Sequence, residues 1–329
     1  MRSAMLLVAV WLGWAGSAVA ATPVTAMVIH GGAGTISRES LTPEREKAIR
    51  ADLDRALDAG QAVLGAGGAA LDAVTAAVQV LEDSPYFNAG KGAVFNADGV
   101  NELDSAVMDG HGQRAGAVAG VHRIRNPVLL ARAVMEKSPH VMLVGDGAEA
   151  FATGIGMALV DPLYFRTEER WQQLQDAKKR TSAGISLPRR YYFGTVGAVA
   201  LDANGHIAAA TSTGGMTNKR WGRVGDAPII GAGTWADAGC GVSATGWGEF
   251  FIRLNVAHDI CARVAYRGDA LKDAADAVVM RRVPELGGDG GVIAIDAKGN
   301  LAMPFNTAGM YRAWIDRDGR RGSAIYSGD

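Results

Sequence analysis

The chain has 329 residues, 48% of them hydrophobic and 20% charged, which is enough apolar material for one large mixed α/β core. Its 33 basic and 34 acidic residues leave a formal net charge of −1, so nothing in the balance supports nucleic-acid binding or an anionic membrane surface. The 44 glycines are scattered and not periodic, which excludes collagen-like and low-complexity architectures.

Residues 1–23 read MRSAMLLVAVWLGWAGSAVAATP, with one arginine, a short apolar run and then Ala18-Val19-Ala20. This pattern predicts a secretory signal over residues 1–20, cut after Ala20. The run is too short to span a bilayer comfortably and no later stretch does so. The expectation is an exported mature protein, periplasmic or secreted, with no membrane partner. Export permits a disulfide between Cys240 and Cys261, the only cysteines. Two buried thiols fit the sequence equally well, and two cysteines are too few for a thiolate metal centre.

After the signal, TAMVIHGGAGT predicts a strand running into a glycine turn. LTPEREKAIRADLDRALDAGQAVL predicts a helix with Thr42 as its N-cap and Pro43 at its first position. AALDAVTAAVQVLED predicts a second helix, with Leu71, Val74, Val78 and Leu81 on one face. A loop, SPYFNAGKGAVFNADG, leads to a strand. GAVAGVHRI predicts another strand, NPVLLARAVMEKS a helix, and HVMLVGDGAEAF a strand entering a helix. Residues 163–193 are polar, charged and poor in apolar periodicity, which predicts a mobile connector. Beyond them, TVGAVALDANGHIAAATSTGG and GGVIAIDAKGNLAMPFNT share one plan, apolar strand, Asp-Ala-x-Gly turn, apolar strand. These are antiparallel hairpins and not βαβ units. A helical stretch, GDALKDAADAVVMRRVPEL, separates them. Helices covering antiparallel sheets in layers follow, and a doubly wound dinucleotide fold does not.

The usual catalytic signatures are missing. HGGAGT lacks the G-x-G-x-x-G spacing, AGKGAV lacks that of a P-loop, and neither G-x-S-x-G nor H-E-x-x-H occurs. The six histidines are dispersed. His30, beside the glycine turn, reads as a structural hydrogen bonder and not a catalyst. That leaves the bond between Gly194 and Thr195, at the mouth of a strand. If it is cut, the Thr195 hydroxyl lies beside its own α-amine. The reference pKa of that amine is about 7.7–8, so much of it is neutral enough to take the hydroxyl proton. Taken alone, the same residues also describe a threonine opening an ordinary strand.

The segments that follow remove the ambiguity. VIHGGAG, FNAGKGAVF, NELDSAVMDG, GTVGAVALD, ATSTGGMTNKRWGRVGD, ATGWGE and PFNTAGMYR together resemble the plant-type asparaginase/isoaspartyl peptidase family of N-terminal-nucleophile hydrolases. The resemblance runs from about residue 26 to residue 315, leaving out the signal and the connector.

This resemblance implies an α+β four-layer αββα sandwich. It implies one hydrolase domain cut into an α chain (residues 21–194) and a β chain (195–329), and a homodimer of such processed units. Thr195 matches the nucleophile, freed by cleavage after Gly194, and Thr213 the threonine that contacts it. Thr245 and Gly246 match the oxyanion hole. Arg223 and Asp226 match the pair that grips the α-carboxylate and α-amine of the substrate, a role suited to a guanidinium fork and a carboxylate. Gly248 and Asn88 match residues lining the substrate site. No cofactor is required. The backbone carbonyls of Leu81, Glu82, Ser84, Phe87, Ala89 and Lys91 match a loop that wraps a structural Na+.

The implied activity is hydrolysis of β-aspartyl (isoaspartyl) peptides and L-asparagine through a threonine acyl-enzyme. Two alternatives stay open: a glycosylasparaginase-type hydrolase of N4-(β-N-acetylglucosaminyl)-L-asparagine, and a non-catalytic exported aspartyl-binding protein. Two departures stand out. The segment between Asp226 and Thr245 is one residue shorter than in some relatives, and Trp247 stands where several relatives have a small or polar residue.

Overall fold

The computed structural model describes residues 24–185 and 194–329. The signal segment, and the end of the connector just before Gly194, lie outside the described residues.

The first strand, β1 (Ala26–Gly34), is followed by α1 (Pro43–Gly65) and α2 (Ala70–Asp83). The Thr42 hydroxyl accepts the Arg45 N–H at 3.2 Å and Pro43 opens α1, as the sequence predicts. Helix α2 buries Leu71, Val74, Val78 and Leu81, the predicted apolar face. Strands β2 (Leu103–Asp109) and β3 (Arg114–Val121) form a hairpin. Then come α3 (Pro127–Lys137), β4 (Met142–Val144) and α4 (Gly145–Gly154).

The predicted mobile connector is a correction. It contains a further helix, α5 (Glu168–Ser182), capped by the Thr167 hydroxyl. Leu174 and Ala177 are buried. Trp171 stands edge-on to Phe95, with ring centroids 5.4 Å apart. Arg170 Nε donates to the Gly92 carbonyl at 2.9 Å, and Arg45 pairs with Glu169 at 2.8 Å. Two apolar residues three apart make too thin a stripe to read from sequence. The helix is held by polar contacts with distant segments, which periodicity does not register.

After Thr195 the chain forms β5 (Val196–Leu201), β6 (Ile207–Thr213), β7 (Thr234–Ala236) and β8 (Cys240–Gly246). Helices α6 (Gly248–Leu254), α7 (Val256–Ala262) and α8 (Leu271–Asp276) precede β9 (Gly290–Asp296), β10 (Leu301–Ala302), β11 (Gly309–Ile315) and β12 (Arg321–Tyr326). Cys240 and Cys261 are disulfide-bonded, tying the start of β8 to α7. This resolves the two alternatives that the sequence left open.

The strands form two sheets, ordered β12-β11-β1-β5-β6-β2-β3-β4 and β10-β9-β8-β7. Alternation along the strands fixes the layers. Met27 and Ile29 of β1, with Val196, Ala198 and Ala200 of β5, pack against α1, α2 and α3. Val242 and Ala244 of β8, with Val292 and Ala294 of β9, pack against α7 and α8. Val28, Val199, Leu201, Ile293 and Ile295 fill the seam between the sheets. The result is the four-layer αββα sandwich. Each buried Val, Leu or Ile contributes about 1.5–3 kcal/mol, so these three apolar layers hold the fold.

The same alternation aims the polar residues. His30, Thr195, Gly197, Thr211 and Thr213 share faces with the seam residues of β1, β5 and β6. Ser243 and Thr245 point away from the helix-facing Val242 and Ala244, so they enter the same seam from the other sheet. A polar pocket is thereby built into one end of an apolar interface.

Candidate active site

Three donors surround the Gly194 carbonyl, at the Gly194–Thr195 bond. The Gly194 carbonyl oxygen lies 2.6 Å from Thr195 Oγ1, 3.0 Å from Asn88 Nδ2 and 3.2 Å from Thr213 Oγ1. Thr195 Oγ1 also lies 3.1 Å from Thr213 Oγ1. Asn88 is fully engaged: its second Nδ2 proton goes to the Gly215 carbonyl at 2.7 Å, and its Oδ1 accepts the Val94 N–H. Thr213 Oγ1 accepts the Gly215 N–H at 3.0 Å, which turns its own proton toward Gly194. Gly194 has φ +118°, a conformation open to glycine, and a Cβ there would lie 2.7 Å from Asn88 Cβ.

The glycine turn after His30 joins the two sheets at this point. An added Cβ on Gly32 would lie 3.0 Å from Gly194 Cα and 3.2 Å from the Thr195 nitrogen. The next residue, Ala33, donates its N–H to Thr245 Oγ1 at 3.2 Å. Consecutive residues of β1 therefore touch both Thr195 on one sheet and Thr245 on the other. Gly246 follows Thr245 and pairs with Gly290 across β9.

His30 is buried, with Nδ1 3.1 Å from the Thr195 carbonyl and Nε2 2.9 Å from Ser243 Oγ. The hydroxyls continue from Ser243 to Thr211 and from Thr211 to Thr234, each at 2.7 Å. Burial lowers the His30 pKa to about 3, although its bond to Thr195 opposes the shift. The ring is neutral at physiological pH and donates through Nδ1–H, which suits the hydrogen-bonding role expected of it. A Cβ on Gly197 would lie 1.9 Å from Ser243 Oγ, so the contact depends on that glycine.

Arg223 and Asp226 lie together beside Gly248, where a Cβ would meet Arg223 Nη2 and Asp226 Oδ1, each at 2.8 Å. Asp226 Oδ2 is buried without a hydrogen-bond partner. Burial raises the Asp226 pKa to about 7, against the pull of the Arg223 charge. A buried carboxylate oxygen without a partner has the capacity to accept a hydrogen bond from a cationic donor such as an ammonium group. Arg223 is not wholly open: its Nε and Nη2 donate to Glu249 at 3.0 and 2.9 Å. Sequence reasoning missed Glu249 and Ser243. Ser243 was findable, because it precedes Thr245 by two on a strand and must share its face. Lys219, also missed, is buried among the Glu102 carbonyl at 3.0 Å and the Glu102 and Asp104 carboxylates at 3.5 and 3.9 Å.

A cavity of about 450 Å³ opens against Gly194 and Asn88, with Arg45, Glu169, Arg170 and Tyr311 among its walls. The loop after α2 packs backbone against backbone. A Cβ on Gly90 would lie 2.3 Å from the Glu82 carbonyl, and one on Gly92 would lie 2.0 Å from the Phe87 carbonyl. Among the described residues, no group of three or more His, Cys, Asp or Glu is placed to hold a metal ion.

A family model described as asparaginase matches residues 23–325. The chain belongs to this asparaginase family. As a member it is a hydrolase. It is 54% identical over 294 residues to the isoaspartyl peptidase of Escherichia coli, covering 88% of this chain and 92% of that one. It is 42% identical over 286 residues to the isoaspartyl peptidase/L-asparaginase of Mus musculus, covering 86% of each. It is 42% identical over 304 residues to the plant-type L-asparaginase of Pyrococcus abyssi, covering 89% of this chain and 96% of that one. Within this asparaginase-family fold, Thr195, Thr213, Asn88 and Thr245 are gathered at one end of the sheet seam. Arg223, Asp226 and Gly248 form a second cluster at the head of α6.

Proposed function

We propose that the chain is a self-processing amidohydrolase that releases L-aspartate from β-aspartyl peptides and, less efficiently, from L-asparagine. The observation that carries this reading is the Gly194 carbonyl, gripped by Asn88 and Thr213 with the Thr195 hydroxyl against it.

In the processing step, Thr195 Oγ attacks the Gly194 carbonyl carbon. Asn88 Nδ2–H and the Thr213 hydroxyl hold the oxyanion. The C–N bond breaks, the nitrogen takes the proton, and an ester links Gly194 to Thr195 Oγ. Water hydrolyses the ester, leaving a Gly194 carboxylate and a free Thr195 amine and hydroxyl. In turnover the amine accepts the hydroxyl proton as Oγ attacks the β-carbonyl of the substrate. Thr245 Oγ–H and the Gly246 N–H hold this second oxyanion. The leaving amine departs with the proton, and water, activated by the Thr195 amine, releases aspartate. Arg223 takes the α-carboxylate and Asp226 the α-ammonium, which leaves the β-carbonyl to reach Thr195.

The same reading includes a structural Na+ in the loop of residues 81–91, export, and a homodimer of processed units. The Cys240–Cys261 bridge supports export, since such bonds persist in oxidising compartments. The test is an intact-mass measurement of purified protein under denaturing conditions, followed by a panel of β-aspartyl dipeptides, L-asparagine and N-glycosylated asparagine. Two fragments, one beginning at Thr195, with fastest turnover of dipeptides, support the proposal. An uncut chain that binds aspartate without turnover supports the binding-protein alternative, and preference for the glycosylated substrate the glycosylasparaginase one.

A further inference from the structure

Arg223 is anchored within the chain itself. Its Nε and Nη2 form a two-point bond to the Glu249 carboxylate. Glu249 also receives a side-chain hydrogen bond from Trp247, whose single N–H is its only donor. The Trp247 ring stands edge-on to Phe250, with centroids 5.0 Å apart at 84°. The chain of contacts runs Phe250, Trp247, Glu249, Arg223.

This arrangement selects which edge of the guanidinium faces the ligand. With the Nε edge held by Glu249, the Nη1 side remains. It faces Gly215 and Gly225, where added Cβ atoms would lie 3.4 and 2.8 Å from Nη1. Gly248 leaves open the space between Nη2 and Asp226 Oδ1. A flexible arginine is thus presented in one orientation, packed against glycines and the Lys219 side chain, beside the unsatisfied Asp226 Oδ2.

We infer that Glu249, held by Trp247, is a positioning residue that fixes Arg223 for the α-carboxylate of an aspartyl ligand. The inference rests on the reading of Arg223 and Asp226 as the head-group clamp. It gives Trp247 a role through Glu249, and it makes one turn, residues 245–249, responsible for both the oxyanion hole and the orientation of the clamp.

The test compares wild type, Glu249→Gln, Trp247→Phe and Arg223→Ala, each first checked for processing. L-Aspartate binding is measured by calorimetry and L-asparagine turnover by steady-state kinetics. Glu249→Gln should raise both the aspartate Kd and the asparagine KM by roughly tenfold, the scale of a charged hydrogen bond, with kcat little changed. Trp247→Phe, which keeps an aromatic ring but loses the N–H, should raise them less. In an Arg223→Ala background, Glu249→Gln should have no further effect on kcat/KM. An unchanged aspartate Kd, a fall in kcat at constant KM, or additivity with Arg223→Ala would overturn the inference. If wild type binds aspartate but hydrolyses nothing, the proposed function fails, and the Kd comparison still decides the role of Glu249. If wild type does not bind aspartate, both fail.

Discussion

Thr195 Oγ1 and Thr213 Oγ1 lie 3.1 Å apart and converge on the same carbonyl oxygen, that of Gly194. In the proposed processing step the first hydroxyl attacks and the second steadies the charge that the attack creates. Thr195→Ala should remain a single chain without hydrolytic activity. Thr213→Val should process about 10²–10³-fold more slowly, the usual cost of one oxyanion donor. Intact mass followed over time distinguishes the two, and a Thr195→Ala protein that is cut and active would end the mechanism.

In the proposed mechanism Thr245 belongs to the second oxyanion site and not the first. Thr245→Val should still yield two chains, because Asn88 and Thr213 hold the Gly194 oxygen, while kcat falls about 10²–10³-fold. It should also cost about 1–3 kcal/mol of stability, since the buried Ala33 N–H loses its acceptor. Loss of processing together with turnover would show that one oxyanion site serves both steps.

Burial holds Asp226 near a pKa of 7. Below that pH it carries a proton and cannot pair with an ammonium. The KM for L-asparagine should therefore rise as pH falls from about 8 to about 6, and Asp226→Asn should show weak binding without this dependence. The folded-state pKa is raised, so the stability contribution runs the other way. It is complete below the ordinary value of 3.8 and is lost as pH rises through 7. Calorimetric titration with L-aspartate across this range checks the binding half.

His30 has the opposite sign for a base. Its folded pKa of about 3 lies below the unfolded 6.5, so its contribution is present above 6.5 and is lost as pH falls toward 3. The full loss is on the order of 5 kcal/mol. His30→Asn, whose amide can still donate to the Thr195 carbonyl, should flatten the acid limb of a urea-denaturation series. An unchanged acid limb would mean that His30 is not held neutral.

Reduction of Cys240–Cys261 should lower stability by about 2–4 kcal/mol, seen as a lower Tm with dithiothreitol. Both cysteines are buried, so reduction should be slow until the protein is partly unfolded. Rapid reduction of native protein would contradict this.

The sequence made the strand of Thr195, the capped helix at Thr42 and the two Asp-Ala-x-Gly hairpins legible, because each carries its signal within a dozen residues. It also carried the family resemblance that named Thr213, Thr245, Arg223 and Asp226. It did not reveal α5, whose anchoring partners, Phe95, Gly92 and Arg45, lie far away in the chain. Nor did it show that Arg223 is already paired with Glu249, 26 positions later. Periodicity reports which face of an element is apolar, but partner choice among charged residues is settled only when two loops meet.

The strand order of the larger sheet has a topological consequence. Strands β1 to β4 precede Gly194 and β5, β6, β11 and β12 follow it, yet they are interleaved. Segments from the two sides meet along three hydrogen-bonded seams, β11 with β1, β1 with β5, and β6 with β2. Severing the backbone at Gly194 would therefore release no fragment. The two polypeptides would remain woven into one sheet, migrating as a single particle in native solvent and separating only in denaturant, with a new amine set inside an otherwise unbroken weave.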